Sequence, residues 1–374
     1  MPDTLEAVEF HDEAATLEAL EEDLTTEEEP SQVPPSDIVA YNELRSCADL
    51  YRMQAQKILE LQPDFQRDVV WKGSEQTRFI DSLTKQLPIP SMCFAMDYKA
   101  QRWIVIDGLQ RISTIVKFLQ GGDWTLSKLP DIDPGLAGKS VAAIKLDTGE
   151  LHNYYTRVEN LTIPVTVLRC DFTKQSHMNY LFMIFHRLNK EGVKLNNQEI
   201  RNCIYGGTFN TLLKELDKHP SWRRINKMQD DLNYRFTKQE LMLRMFAFYD
   251  RPEKYEGSLV TFLNEYMNEY RNPGDGFLAS KSNLLKRTAD LIANRIFAPT
   301  VPPKLPITVL ESVLVAVARN IDRLEASPQT DLSGKFGEMM QVNEFSDGAL
   351  REGLAKKPRV AARLQTAERV FAGA

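Results

Sequence analysis

Four residues with chemistry to offer stand within one run of five, Asp107-Gly108-Leu109-Gln110-Arg111. Arg111 brings a planar fork of donors suited to phosphate. Gln110 brings a donor and an acceptor, and Asp107 a carboxylate able to hold a metal ion or a water. The elements that must position them can be read on either side. Trp103 to Ile106 is a short apolar run rich in β-branched residues and predicts a buried strand. Asp107-Gly108 breaks it, with glycine allowing a sharp exit. From Leu109 the period changes, and Ile112, Ile115, Val116 and Leu119 share one helical face until Gly121-Gly122 ends the helix. The four residues therefore sit at a strand-to-helix corner, where unpaired backbone N–H groups and the helix dipole favour an anion. A purely structural reading fits the same residues. In it Asp107 caps the helix and Arg111 pairs with a carboxylate nearby.

The run DGLQRISTIVKFLQG resembles the DGQQR motif of the N-terminal domain of GmrSD-type, modification-dependent restriction endonucleases. Three more blocks of that family follow the same order: PDFQRDVVW (Pro63 to Trp71), FIDSLTKQLPIPSMCFA (Phe79 to Ala95) and FHRLNKEGVKLNNQEIRN (Phe185 to Asn202). The resemblance spans residues 45 to 250. Leu109 departs from it, standing where the family usually has its first glutamine. The resemblance implies an α/β (α+β) domain of the ParB/sulfiredoxin-like, nucleotide-binding kind, followed by a mostly α-helical C-terminal region. It makes Asp107, Gln110 and Arg111 the expected catalytic residues, with Asp107 also the ligand of a divalent ion such as Mg²⁺. Gln66, Arg67, Gly108, Thr114, Arg187 and Asn189 are expected around a nucleoside triphosphate, as substrate or ligand. Without the resemblance, Gln66 and Arg67 read as an exposed loop pair, and Arg187, Asn189 and Arg201 as helix surface.

The rest of the chain divides by composition and period. Residues 1–37 hold 13 Asp and Glu and no Lys or Arg, which leaves 39 acidic against 46 basic residues in the body. This stretch reads as a disordered acidic tail. An α/β domain is expected over 38–172, a helical region over 173–300, and a final helical part over 301–374. Ser46 to Leu59 has helical spacing, Met92 to Met96 reads as a strand, and Asp97 to Ala100 as the hairpin turn into Trp103. Leu161 to Cys170 is a further strand. Gly135 to Ser140 imitates a phosphate-binding loop, but its first glycine is misplaced and no strand precedes it. Asn196 with Glu199 predicts a capping box. Arg223, Arg224, Lys227, Arg235 and Lys238, with Trp222, Tyr234 and Phe236 between them, fit either a nucleic-acid surface or a solvated helix face.

The four cysteines are scattered and form no CxxC pair, which argues against a disulfide framework or zinc site and for a cytoplasmic protein. No apolar run has the length of a membrane span. His177 and His186 are nine positions apart, so they read as core or surface residues rather than metal ligands. No histidine follows His219, so the second half lacks the usual general base of an HNH-type nuclease. The expected protein binds and hydrolyses nucleoside triphosphates in DNA-directed anti-phage defence or restriction. Its expected partners are DNA and a separate nuclease, with self-association left open. Two alternatives stand beside it: a DNA nuclease in its own right, and a non-enzymatic protein that senses a ligand and binds DNA.

Overall fold

A computed structural model describes residues 34–61, 71–188, 195–228, 236–299, 305–346, 348–350 and 353–373. Residues 1–33, which carry nearly all of the acidic tail, lie outside the described residues. Two compact units divide the body, one spanning Val33–Leu195 and the other Asn196–Ala374.

The first unit is built on a five-stranded mixed sheet: β1 Val39–Ser46, β2 Leu59–Glu60, β3 Met92–Asp97, β4 Arg102–Asp107 and β5 Thr162–Cys170. Their order is β1-β5-β3-β4-β2. β3 pairs parallel with β5 and antiparallel with β4, while β1 pairs antiparallel with β5. One face is covered by α1 (Cys47–Ala55), α2 (Gly73–Thr84), α3 (Leu109–Gln120) and α5 (Glu150–Asn160), with the short α4 (Val141–Leu146) at its margin. Ile163, Val165 and Val167 of β5, Phe94 of β3 and Val105 of β4 meet Ile112, Ile115 and Phe118 of α3 there, all buried. Alternation on β5 supplies this core because side chains two apart share a face. The opposite face is packed by α6 (Gln175–Leu188), which lies on β4.

Helix ends follow local chemistry. Ser46 caps α1 by accepting the Asp49 N–H at 3.1 Å. That helix stops at Ala55, short of the expected Leu59. Lys57 then takes a left-handed φ of 58°, and the chain enters β2. The phosphate-loop mimic at Gly135 to Ser140 is a run of turns. Its Ser140 bridges back to Thr125 and opens only the six-residue α4. His177 is a buried clamp: its Nδ1 accepts the Asp171 N–H at 2.9 Å, and its Nε2 meets Asp37 Oδ1 at 2.8 Å. Lys174 and His177 hold the Asp37 carboxyl down to about 2, anchoring the approach to β1.

The second unit is helical: α7 Asn197–Ile204, α8 Thr208–Leu216, α9 Pro220–Ile225, α10 Thr237–Asp250, α11 Leu259–Glu269, α12 Asp275–Leu291, α13 Ile307–Arg319, α14 Ile321–Ala326, α15 Leu332–Met340 and α16 Lys357–Ala372. The expected capping box opens α7, with the Glu199 N–H donating to Asn196 Oδ1 and the Asn196 N–H to Glu199 Oε2. α13 is apolar nearly all round and packs against α10, α12 and α16. Two sequence expectations change here. Arg201 is no pocket residue of this unit's surface. It is 1% exposed and donates to Asn264 Oδ1 and Glu240 Oε2, both at 2.9 Å. Trp222 is fully buried, with its indole N–H donating to Asp217, so it offers no ring for a nucleic-acid base. Burial pushes the Asp217 carboxyl up to about 6. Arg224 and Lys227 are exposed on this stretch, whereas Tyr234 and Arg235 lie outside the described residues.

Candidate functional site

Asp107 ends β4, and Leu109 begins α3. Between them Gly108 takes φ +97°, in the left-handed region, and is buried. A Cβ on Gly108 would come within 2.6 Å of Met92 Cγ, so both backbone and space demand glycine. Gly108→Ala is expected to destabilise the protein by about 1–3 kcal/mol through strain and displacement of Met92. Equilibrium denaturation would measure it, and an unchanged midpoint would refute the close approach.

The register of β3 and β4 adds a second device. Cys93 pairs with Asp107 but Phe94 with Val105, so Ile106 is an extra residue on β4. A bulge of this kind bends the strand and re-aims the side chains beside it. Strict alternation from Val105 would turn Asp107 toward the helical core, yet its side chain is 43% exposed.

Arg111 reaches back one helical turn, its Nη2 lying 2.6 Å from Asp107 Oδ2. Its Nη1 donates to the carbonyl of Pro90 at 2.5 Å and contacts that of Ser91 at 3.4 Å. The guanidinium therefore ties the start of α3 to the start of β3 and neutralises Asp107, as the structural reading of the corner anticipated. The helix N-terminus beside it has no side-chain cap. Its first backbone N–H groups, at Leu109, Gln110 and Arg111, find no acceptor among the described residues. Gln110 Oε1 is buried with no hydrogen-bond partner. The corner thus combines outward donors, one carboxylate, one guanidinium and one unused amide oxygen.

The other expected residues are placed differently. Thr114 is 1% exposed and donates to the Gln110 carbonyl at 2.7 Å, so it braces the first turn of α3 from within. Arg187 is exposed near the end of α6. Gln66, Arg67 and Asn189 lie outside the described residues. Among the described residues no group of three or more His, Cys, Asp or Glu side chains is arranged to hold a metal. Asp107 is a single carboxylate. Such a ligand suits Mg²⁺, which is commonly bound by one or two carboxylates together with substrate phosphates. Cys93 stands opposite Asp107 across the strand pair. Burial, reinforced by the charge of Asp107, pushes its thiol up to about 12.

Sequence reasoning missed a row of polar groups beside the corner. Thr166 on β5 donates to Asn42 Oδ1 on β1 at 2.8 Å, and Ser91 Oγ lies 3.2 Å from Thr166 Oγ1. The outward alternation of Thr162, Pro164 and Thr166 along β5 was the available signal, but the partners lie far away in the chain.

No helix among the described residues is long and apolar enough to cross a membrane. No curated protein and no solved structure matches the chain. Residues 47–206 match the family model described as GmrSD restriction endonuclease, N-terminal domain, a span that contains the corner and all of its sheet neighbours except β1.

Proposed function

We propose that the Asp107–Arg111 corner binds a nucleoside triphosphate and promotes its hydrolysis, as the nucleotide-dependent component of a DNA-directed restriction or anti-phage system. The observation that carries this reading is the uncapped N-terminus of α3, opened by left-handed Gly108 and flanked by the Asp107–Arg111 pair. Backbone donors at a helix start accept phosphate oxygens, and the helix dipole adds to the attraction. Arg111 contributes charge at the same place while keeping Asp107 in position. Asp107 is the residue that would hold Mg²⁺ jointly with the phosphates, and the ion would neutralise charge developing on the transferred phosphoryl group. Gln110, with its unused Oε1, would accept from the attacking water and orient it. Thr114 supports the Gln110 backbone. The family description supports the restriction role, and a separate nuclease would cut the DNA that this chain helps to select.

Arg111→Ala tests the binding step. The carbonyls of Pro90 and Ser91 belong to exposed residues, so water replaces the guanidinium and the fold should persist. Loss of a charge-assisted phosphate contact costs about 1.5–3 kcal/mol, or roughly 10- to 100-fold in Kd. Titration of each nucleoside triphosphate into parent and variant measures it. A folded variant that binds as tightly as the parent would remove Arg111 from the site.

A further inference from the structure

Beyond the corner, the sheet carries its polar row in register. Asp107 pairs with Cys93, Cys93 with Thr166, and Thr166 with Asn42, across β4, β3, β5 and β1. Paired residues on adjacent strands share a face, so these side chains form one line on the side of the sheet away from the helical core. Three strand spacings make the line about 14 Å long. Asn42 and Ser91 are exposed and Thr166 is half-buried.

The bond between Thr166 and Asn42 has a direction. A threonine hydroxyl has one proton, and that of Thr166 goes to Asn42 Oδ1. Ser91 Oγ lies 3.2 Å from Thr166 Oγ1 and donates to the Met92 carbonyl at 3.1 Å. The bond from Thr166 sets the Asn42 amide with its oxygen toward β5. The Nδ2 donors of Asn42 have no acceptor among the described residues. On the same face, two positions further along β1, stands Leu44, paired with Pro164. Leu44 is 69% exposed, the second largest exposure among the large apolar side chains that remain open to solvent. A neutral donor row and an apolar shelf therefore continue directly from a charged corner.

We infer that this ledge is the nucleoside half of the nucleotide site, with the sugar hydroxyls on Asn42 and Thr166 and the base resting on Leu44 and Pro164. The inference rests on the reading of the corner as a phosphate site. Charge and polarity match a nucleotide from end to end: phosphates at the helix start, hydroxyl-bearing sugar on uncharged hydrogen-bonding groups, base on apolar surface. Inorganic phosphate chains would use the corner alone. Selection between nucleotides then belongs to β1 and β5, and hydrolysis to β4 and α3.

The experiment measures binding of ATP, GTP, CTP, UTP and inorganic tripolyphosphate to the full chain by calorimetry in Mg²⁺, for the parent, Asn42→Ala, Thr166→Val and Thr166→Ser. Circular dichroism confirms that each is folded. The expected result is that Asn42→Ala and Thr166→Val weaken the tightest nucleotide about tenfold, as loss of one hydrogen bond does. Tripolyphosphate affinity should stay within about twofold on the same hydrogen-bond scale, and Thr166→Ser, which keeps the hydroxyl, should bind like the parent. Unchanged nucleotide affinity in both variants, or an equal loss for tripolyphosphate, would overturn the ledge assignment while leaving the corner standing. A parent that binds tripolyphosphate as tightly as every nucleotide would overturn it as well. A parent that binds none of the five ligands would overturn the phosphate corner and the ledge together.

Discussion

Glu240→Ala should destabilise the helical unit by about 3–5 kcal/mol, the usual consequence of leaving buried charges without their counter-ion. Glu240 accepts from two arginines at once. Arg201 Nη1 lies 2.9 Å from its Oε2, and Arg244 Nη2 lies 2.8 Å from its Oε1. The arginine side chains are 1% and 2% exposed, so water cannot replace the carboxylate. Burial opposes the charge on Glu240 most strongly, but Arg244 and Arg201 outweigh it and hold the carboxyl below its ordinary range. Arg244 also faces Glu311 across 3.6 Å, and Arg201 keeps its bond to Asn264, so the network does not vanish with Glu240. It is left with excess positive charge in a dry interior, where the interaction between charges is least screened. Chemical denaturation of parent and variant measures the loss. A quadruple replacement, Glu240→Leu with Arg201→Leu, Arg244→Met and Glu311→Leu, should recover most of it, because removing these buried charges together removes their desolvation cost too. A Glu240→Ala protein within about 0.5 kcal/mol of the parent would show that the network contributes nothing beyond an ordinary surface substitution.

That network also shows where sequence reading ends. Arg201 sits in a family-like block and carries a charge, and both features favoured a surface or pocket role. Besides Gln198 of its own helix, its burial depends on Glu240 and Asn264, brought in from two other helices, and nothing local to EIRN encodes that meeting. The corner at Asp107 was legible for the opposite reason. A β-branched run, a glycine and a change of period from two to 3.6 are all local, so the strand, the turn and α3 followed from neighbouring residues. The β3–β4 hairpin and the capping box at Asn196 were legible on the same ground. β1 was not. It is an edge strand whose first four residues are exposed on both faces, so no alternation marks it. The bulge at Ile106 was hidden too, since it is a property of pairing and not of either strand. The ledge joins residues 42, 91 and 166 through a strand order that the sequence does not spell out. The bond of Arg111 to the Pro90 and Ser91 carbonyls was beyond reach because backbone oxygens have no side-chain signature.

Asp107→Ala should lower the rate of nucleoside-triphosphate hydrolysis by about 10²–10³, the effect of removing one preorganised electrostatic group from an active site. Nucleotide binding should fall far less than in Arg111→Ala, since the backbone donors of α3 and the guanidinium remain. In the variant Arg111 loses its partner across 2.6 Å but keeps the Pro90 carbonyl, so the start of α3 stays anchored to β3. The same substitution separates phosphate chemistry from DNA chemistry. Two-metal nucleases clamp ions about 3.5–4 Å apart and need several convergent carboxylates. The corner offers Asp107 alone, and among the described residues no acidic or histidine cluster accompanies it. His219, the last histidine of the sequence, lies at the start of α9, 3.7 Å from Asp290 and away from any carboxylate cluster. The parent is therefore expected to release phosphate from a nucleoside triphosphate while leaving DNA intact, with Mg²⁺ or Mn²⁺ and with base-modified or unmodified substrate. Phosphate release and gel analysis in one reaction read both activities. Hydrolysis undiminished in Asp107→Ala would remove that carboxylate from the chemistry. DNA cleavage by the parent that disappears in Asp107→Ala would instead make the corner a nuclease centre, and the nucleotide its regulator.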